Sequence, residues 1–205
     1  MQNTLYLNQW HKCSKMDTVN NAFHKGSEHS IEKTNKHKSW RSRVRYFLKM
    51  SSSAKKPSSN STAFRLTADD VTEWAQSFEK LLSHKYGKAA FQVFLKSEFC
   101  EENMEFWLAC EEFRKIQSPT KLSLRATSIY EEFIKSESPK EVNLDFYTKD
   151  AIIQNIQLPT HFCFVAAQKK IYNLMENSSY PRFIDSHIYR ELHAATQREG
   201  KHFRT

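Results

Sequence analysis

The chain has few of the residues that β-rich proteins require. Only three glycines and five prolines occur in 205 residues, too few for the frequent turns of a β-sandwich or an alternating β–α protein. The four cysteines form no CxxC pair, and the sequence shows no signal peptide and no apolar run long enough to span a membrane. Since 39% of the residues are hydrophobic, one full core can still be buried. We therefore expect a reduced, cytosolic, all-α protein.

The sequence also lacks the common motifs of enzymes. It contains no glycine-rich phosphate loop, no nucleophile elbow and, among nine histidines, no HExxH or other paired ligand spacing. Adjacent carboxylates such as Glu101 and Glu102 point about 100° apart on a helix, so they do not converge on a substrate. We expect no catalytic residue, no metal and no cofactor. A binding module is the simplest prediction.

Positive charge is concentrated at one end of the chain. The net charge is +8, and residues 1–63 carry twelve Lys and Arg against three acids, which leaves the remainder nearly neutral. Residues 1–32 are polar and unpatterned, which predicts disorder. The Ser/Lys/Pro-rich residues 51–63 predict a flexible linker. The segment between them, residues 33–50, has a different character.

Residues 33–50 predict a short, basic, amphipathic helix. Its apolar side chains recur at i, i+4, i+7 and i+8, with basic residues on the opposite side. Such a helix is marginal in water but is stabilised at an anionic bilayer, where each basic residue adds about 1 kcal/mol. The predicted membrane-binding residues are Trp40, Arg41, Arg43, Val44, Arg45, Phe47, Leu48 and Lys49. A helix packed on the domain and a nuclear-localisation signal are the alternatives.

Residues 64–195 predict a single helical domain, because apolar stripes of helical period alternate with short polar loops. A capping box at 67–70 opens the first helix, and Gly87 is expected to follow its end. Later helices are expected from about residue 88, 123 and 145, and the segment 177–181 is expected to break or kink a long one. Residues 196–205 read as a polar tail.

The most distinctive stretch is the sequence SEFCEENMEFWLACEEF at residues 97–113. Its second half is so apolar that a helix there must be buried, while Glu101, Glu102 and Asn103 are expected at an exposed turn at its start. Acidic residues also suit the positive end of a helix dipole. The same pattern is therefore typical of an ordinary helix N-terminus.

Four separated blocks resemble the regulator of G-protein signalling (RGS) family in the family's order. They span about residues 70–195 and read WAQSFEKLLSHKYG, FLKSEFCEENMEFWLACEEF, PKEVNLDF and AQKKIYNLMENSSYPRF. The resemblance implies an all-α, RGS-type helical bundle of about nine helices, with a four-helix bundle subdomain and a terminal subdomain. It also implies activation of GTP hydrolysis by heterotrimeric Gα subunits, which terminates receptor signalling. Such proteins hold the Gα switch regions in their transition-state shape, because Gα supplies its own arginine.

The resemblance also implies three Gα-contact loops and a rim position. The implied Gα-binding residues are Phe99, Cys100, Glu102 and Asn103, then Glu141 and Asn143, then Leu174, Ser178, Ser179 and Arg182, with Asp185 at the rim. Asn103 is expected nearest the catalytic glutamine of Gα, where its amide can donate and accept. Loop caps and solvated polar residues are the alternative explanation for each position.

Three positions depart from the commonest pattern of the family. Many members have Ser, Asp and Lys where this chain has Cys100, Ser178 and Asp185. A thiol is a weak hydrogen-bond partner, and serine offers no carboxylate. Losing a charge-assisted bond costs about 1.5–3 kcal/mol, enough to change the preferred Gα class. One family member makes similar replacements and favours the Gq class over Gi, so we expect a Gq preference here.

The expected partners are a Gα subunit in its GTP or transition-state form and the anionic inner leaflet of the plasma membrane. We expect a cytoplasmic monomer, peripheral at that membrane, with the nucleus as a further location. Nucleic acid is disfavoured because the positive charge lies in a tail without a recognition fold. A non-catalytic effector antagonist, which binds Gα without changing hydrolysis, is the alternative function.

Overall fold

The computed structural model describes residues 66–201. The predicted disordered segment 1–32, the amphipathic segment 33–50 with its membrane-binding residues, and the linker 51–63 all lie outside the described residues. Within residues 66–201 every regular element is helical and no strand occurs. The prediction of an all-α fold is therefore confirmed for the part of the chain that the structure describes.

The helices follow one another through short connections. In chain order they are α1 Ala68–Trp74, α2 Phe78–Ser83, α3 Lys85–Ser97, α4 Glu102–Phe113, α5 Pro119–Phe133, α6 Phe146–Asn155, α7 Val165–Leu174, α8 Tyr180–Ile184 and α9 His187–Lys201, with a π-helical segment, Met175–Ser179, between α7 and α8. Among the described residues, the chain forms two compact units. The bundle unit is Leu95–Ser179 and contains the four helices α4 to α7, while the terminal unit comprises 66–94 and 180–201.

Aromatic side chains form the core of the terminal unit. Phe183 is fully buried, and its ring lies 5.5 Å from that of Phe91 and 5.6 Å from that of Phe94, both edge-on. Edge-to-face pairs of this kind add about 0.5–1.5 kcal/mol beyond their buried area. The hydroxyl of Tyr189 donates to the Val71 carbonyl at 3.0 Å, and burial raises the pKa of that phenol. These contacts fasten α8 and α9 to the first helices of the domain.

The first predicted helix is two helices. The capping box at its start is confirmed, since the Thr67 side chain accepts from the Asp70 amide and the Asp70 side chain accepts from the Thr67 amide. However, α1 ends at Trp74, and Ser77 caps a new helix by accepting from the Lys80 amide at 3.1 Å. The apolar stripe continues across this break, so its period alone predicted one helix.

Gly87 lies inside α3 and does not end a helix, so that prediction was wrong. A Cβ at this position would lie 2.4 Å from the carbonyl oxygen of Leu81 and 3.2 Å from the Trp74 ring. The glycine is therefore needed because another stretch of backbone approaches it closely.

Three other predicted boundaries differ from the structure. Helix α5 begins at Pro119, four residues earlier than expected, because Ser118 caps it and proline is favourable at the first helical position. The expected break at 177–181 is instead the π-helical segment, after which α8 continues through Pro181. The last helix, α9, runs to Lys201, into the segment predicted to be a polar tail.

Helix α4 is the centre of the bundle unit. Phe106 packs against Phe133 of α5 with ring centroids 5.7 Å apart. The buried amide of Gln168, on α7, donates to the Trp107 carbonyl at 3.1 Å and to the Glu111 carboxylate at 2.7 Å. These contacts fix α4 between two other helices and so position the loops that precede and surround it. Across residues 66–201, none of the helices combines the length and the apolarity needed to cross a bilayer.

Candidate functional site

The first candidate loop joins α3 to α4 through a strained turn. The amide of Cys100 donates to the Leu95 carbonyl at 3.0 Å, and the amide of Phe99 donates to the Lys96 carbonyl at 3.4 Å. These two bonds define a Schellman motif, in which the residue after the helix is usually glycine with a positive φ. Here that residue is Phe99, with φ of 55° and a side chain that is 61% exposed. A bulky residue in this conformation is an outlier.

Asn103 lies inside the turn. The expectation of an exposed Asn103 was wrong, since only 3% of the residue is exposed, as is also true of Cys100. Its Nδ2 donates to the Cys100 carbonyl at 3.3 Å and to the Glu102 carboxylate at 3.4 Å. Its Oδ1 is buried and has no hydrogen-bond partner among residues 66–201. One half of the amide is therefore held by the loop, while the acceptor half is unsatisfied.

A buried acceptor without a donor costs about 1–3 kcal/mol. A bound protein that supplies a donor to the Asn103 Oδ1 removes this cost without having to orient the side chain first. The strained backbone at Phe99 also raises the free energy of the unbound loop. A residue in a sparsely populated conformation costs about 1–3 kcal/mol, and such residues cluster at functional sites. Both features make this turn a candidate site of interaction.

The second candidate loop, residues 134–145, is anchored by alternate side chains. Val142 is fully buried and Leu144 is 8% exposed, whereas Glu141 and Asn143 face outward. Burial therefore alternates along residues 141–144, as it does where successive side chains point to opposite sides. The amide of Val142 donates to the Phe133 carbonyl at 2.9 Å, which fixes the loop to the end of α5.

Glu141 also braces its own loop. Its Oε2 accepts from the Glu137 amide at 3.0 Å, and its Oε1 pairs with Lys149 of α6. Glu137 has φ of 63°. The two non-glycine residues with positive φ in the described part of the chain, Phe99 and Glu137, therefore both lie within the candidate loops. Asn143 remains exposed at the tip.

Lys140 joins the second loop to the start of α4, and the sequence did not reveal it. Its Nζ lies 2.8 Å from a carboxylate oxygen of Glu105, 2.7 Å from one of Glu132, and 5.7 Å from the centre of the Phe133 ring. The neighbouring Glu105 and Glu132 carboxylates raise the pKa of this ammonium group. Glu105 follows Asn103 by two residues, so Lys140 ties the second loop to the start of α4. The block PKEVNLDF contained the lysine but gave no sign of its partners.

Asp145 fixes the end of the second loop. It caps α6 by accepting from the amide of Thr148 at 3.1 Å and from its hydroxyl at 2.8 Å, and it pairs with Lys170 of α7. Partial burial raises the pKa of the Asp145 carboxyl, but the Lys170 and Thr148 donors outweigh burial and lower the pKa from 3.8 to about 2. The carboxylate is therefore charged at neutral pH and joins the loop to two helices.

The third candidate patch lies at the end of α7 and in the π-helical segment. Leu174 and Ser178 are half-buried, whereas Ser179 is 6% exposed. The side chain of Asn177 donates to the Asn173 carbonyl at 2.8 Å and closes the widened turn. Single π-helical turns are frequent at functional sites, because the additional residue changes the direction of the side chains that follow.

The remaining predicted residues belong to the terminal unit. Arg182 is half-buried in α8, and Asp185 is exposed directly after that helix. All the other predicted Gα-binding residues belong to the bundle unit, where Lys140 links the second loop to the start of α4. Within residues 66–201 no three His, Cys, Asp or Glu side chains form a group that could hold a metal ion.

Comparisons with known proteins show the family of the chain. The family model "Regulator of G protein signaling domain" matches residues 77–192, more than half of the chain. The chain is 54% identical over 134 residues to Regulator of G-protein signaling 8 of Mus musculus, covering 65% of this chain and 74% of that protein. It is 51% identical over 137 residues to Regulator of G-protein signaling 5 of Mus musculus, covering 67% and 76%. It is 54% identical over 128 residues to Regulator of G-protein signaling 18 of Rattus norvegicus, covering 62% and 54%. The chain therefore belongs to the regulator of G-protein signalling family, whose members bind Gα subunits and generally activate their GTPase.

Proposed function

We propose that this protein is a GTPase-activating protein for heterotrimeric Gα subunits, with a preference for the Gq class. It contributes no catalytic residue of its own. It acts by binding the switch regions of Gα more tightly in the transition-state conformation than in the ground state. Each ten-fold acceleration then requires about 1.4 kcal/mol of preferential binding.

The observation that carries this proposal is the amide of Asn103. Its Nδ2 is held by the Cys100 carbonyl and the Glu102 carboxylate, while its Oδ1 is buried without a partner. An acceptor fixed in this way can receive a hydrogen bond from the catalytic glutamine of Gα and keep that side chain aimed at the attacking water. Because the loop orients the amide before binding, little conformational entropy is lost in the complex.

The second loop supports the same activity. Lys140 fixes it to Glu105 at 2.8 Å, close to Asn103 in the chain, and leaves Asn143 exposed for contact. Two loops that are joined in this way present their polar side chains as one rigid surface. Such a surface discriminates between two conformations of a partner better than separate mobile loops do.

The Gq preference rests on three positions. Cys100 is buried beneath the strained turn, so its thiol influences the packing of that turn as well as its hydrogen bonding. Ser178 is half-buried in the π-helical segment, and Asp185 is exposed. This chain has no aspartate at position 178 and no lysine at position 185, so it cannot make the charged contacts that those residues provide in many family members. We propose that the loss of these contacts weakens binding to Gi-class subunits more than binding to Gq-class subunits.

Membrane recruitment completes the proposal. The sequence from Trp40 to Lys49 has the amphipathic, basic pattern that favours adsorption to an anionic inner leaflet. A monomer concentrated at this surface meets its partner more often. We propose a cytoplasmic protein that is peripheral at the plasma membrane.

The affinity of the full chain for Gα in two nucleotide states tests the function. A transition-state stabiliser binds Gα with GDP and aluminium fluoride at least ten-fold more tightly than Gα with a non-hydrolysable GTP analogue. An effector antagonist binds both states equally and competes with an effector without changing hydrolysis. The first outcome supports GTPase activation, and the second contradicts it. The same titrations with a Gq-class and a Gi-class subunit measure the class preference.

A further inference from the structure

The first turn of α6 exposes two aromatic side chains. Phe146 is 75% exposed and Tyr147 is 82% exposed, and their ring centroids lie 5.8 Å apart in an edge-to-face arrangement. They directly follow Asp145, the last residue of the second candidate loop. Neither residue belongs to the three contact loops that the sequence predicted. Large apolar side chains that remain exposed as a pair mark an interaction surface more often than single ones do.

This aromatic pair is held in a fixed position relative to Asn143. Phe146 follows Asn143 by three positions, so their Cα atoms are at most about 11 Å apart. The carboxylate of Asp145 caps α6 through Thr148, whose side chain is buried. Lys149, in the same turn of α6, pairs with Glu141 in the loop. The loop and the start of α6 therefore form one rigid piece.

Resting on the proposed function, we infer that Phe146 and Tyr147 extend the Gα-binding surface and contact an apolar patch of Gα beside the segment that Asn143 reaches. Aromatic side chains supply a large contact area at low entropic cost and are enriched among residues that dominate binding energy. The pair adds to a surface whose polar part comprises Asn103 and Asn143. It contributes to affinity and takes no part in hydrolysis.

The surroundings of the pair favour Gα over a membrane. Lys149 pairs with Glu141, and Lys170 pairs with Asp145. The positive charge of each of these two lysines is therefore compensated. Asp150, in the next turn of α6, adds a negative charge. A balanced or negative surface gains little from anionic lipid.

The size of the pair favours Gα over a second copy of the chain. Two aromatic side chains bury about 300–500 Å², whereas each partner in a stable interface buries about 800 Å². The pair is too small to hold a dimer by itself. It is sufficient as one part of a larger interface that already includes the neighbouring loop.

The test uses the full chain carrying Phe146→Ala and Tyr147→Ala together, with Leu124→Ala as a matched control. Leu124 is 69% exposed on α5, so it tests the loss of an exposed apolar side chain elsewhere in the bundle unit. A second variant, Phe146→Tyr with Tyr147→Phe, keeps both rings. Affinity for Gq-class Gα with GDP and aluminium fluoride and single-turnover hydrolysis are measured for each protein, after thermal melts establish that all of them fold.

We expect the double alanine variant to lose about ten-fold in affinity, with hydrolysis restored at saturating concentration, while the Leu124 and ring-exchange variants match the wild type. Unchanged affinity of the double alanine variant, beside an active wild type, overturns the inference and leaves the proposed function intact. A wild type that does not accelerate hydrolysis refutes the proposed function itself. If the variant instead loses only binding to phosphatidylserine vesicles, or only self-association, the surface belongs to a membrane or to a second copy and the inference is wrong.

Discussion

Replacing Phe99 tests the strained turn of the first loop. A left-handed conformation costs a residue with a Cβ about 1–2 kcal/mol, and φ at Phe99 is 55°. Phe99→Ala and Phe99→Gly remove the same ring, which is 61% exposed, so the lost packing cancels when the two variants are compared. Alanine keeps the strain, whereas glycine relieves it but loses about 0.5–1 kcal/mol more chain entropy on folding.

The relief of strain exceeds the additional loss of chain entropy, so Phe99→Gly is expected to be more stable than Phe99→Ala by about 0.5–1 kcal/mol. This corresponds to a melting temperature about 1–4 °C higher for a chain of this size. Chemical denaturation and thermal melts measure both quantities. At an ordinary helical position the order is reversed, because glycine is then less stable than alanine by about 1 kcal/mol.

Function is expected to change differently from stability. Both variants lose the exposed ring, so both bind Gα more weakly than the wild type, and Phe99→Gly has no advantage in binding despite its greater stability. If Phe99→Ala is as stable as Phe99→Gly or more so, the turn is not strained. If Phe99→Gly binds Gα as tightly as the wild type, the ring is not part of the site.

Three further substitutions test other parts of the account. Lys140→Met removes both ion pairs of a partly exposed lysine, so it is expected to lower the free energy of unfolding by less than about 1 kcal/mol. The concentration needed for half-maximal GTPase acceleration is expected to rise about three- to ten-fold. Equal activity of variant and wild type in titrations against Gα would contradict the role of Lys140 in holding the second loop. Gly87→Ala forces a Cβ to within 2.4 Å of the Leu81 carbonyl and is expected to cost about 1–3 kcal/mol in urea denaturation, although alanine is the better helix former; a stabilised variant would refute the close approach. The pKa of Asp145 is about 2 in the folded protein against an ordinary value of 3.8, so its contribution to stability is complete above about pH 5 and is lost as the pH falls toward 2. Asp145→Asn is expected to flatten the pH dependence of stability in this window, and an unchanged profile would contradict a stabilising role for the ion pair with Lys170.

The sequence predicted the class of the fold and the chain order of its loops, because these depend on local patterns. The box formed by Thr67 and Asp70 opens α1 as expected, and Asp145 precedes α6 as expected. Some predictions failed because of local capping, as where Ser77 starts a second helix and Ser118 starts α5 early, and others failed because of packing contacts that the pattern does not show. Gly87 resembles a helix terminator in the sequence, but the backbone of Leu81 explains it.

The candidate site shows the same limit. The resemblance identified Asn103, but its burial and its unpaired oxygen depend on how Phe99 turns the chain, and residue type gives no sign of a positive φ at a phenylalanine. Lys140 was missed because its partners, Glu105 and Glu132, lie 35 and 8 positions away along the chain. Propensity and periodicity describe neighbours on one helix, and ion pairs between elements lie outside their reach.

The central claim is that the loop bearing Asn103 accelerates GTP hydrolysis by Gα. Single-turnover hydrolysis by purified Gq-class and Gi-class subunits, each with substoichiometric full chain and with its Asn103→Ala variant, measures this directly. We predict acceleration on the Gq-class subunit, weaker acceleration on the Gi-class subunit, and loss of both in the variant. Binding without acceleration on either subunit, or a variant as active as the wild type, would contradict the account.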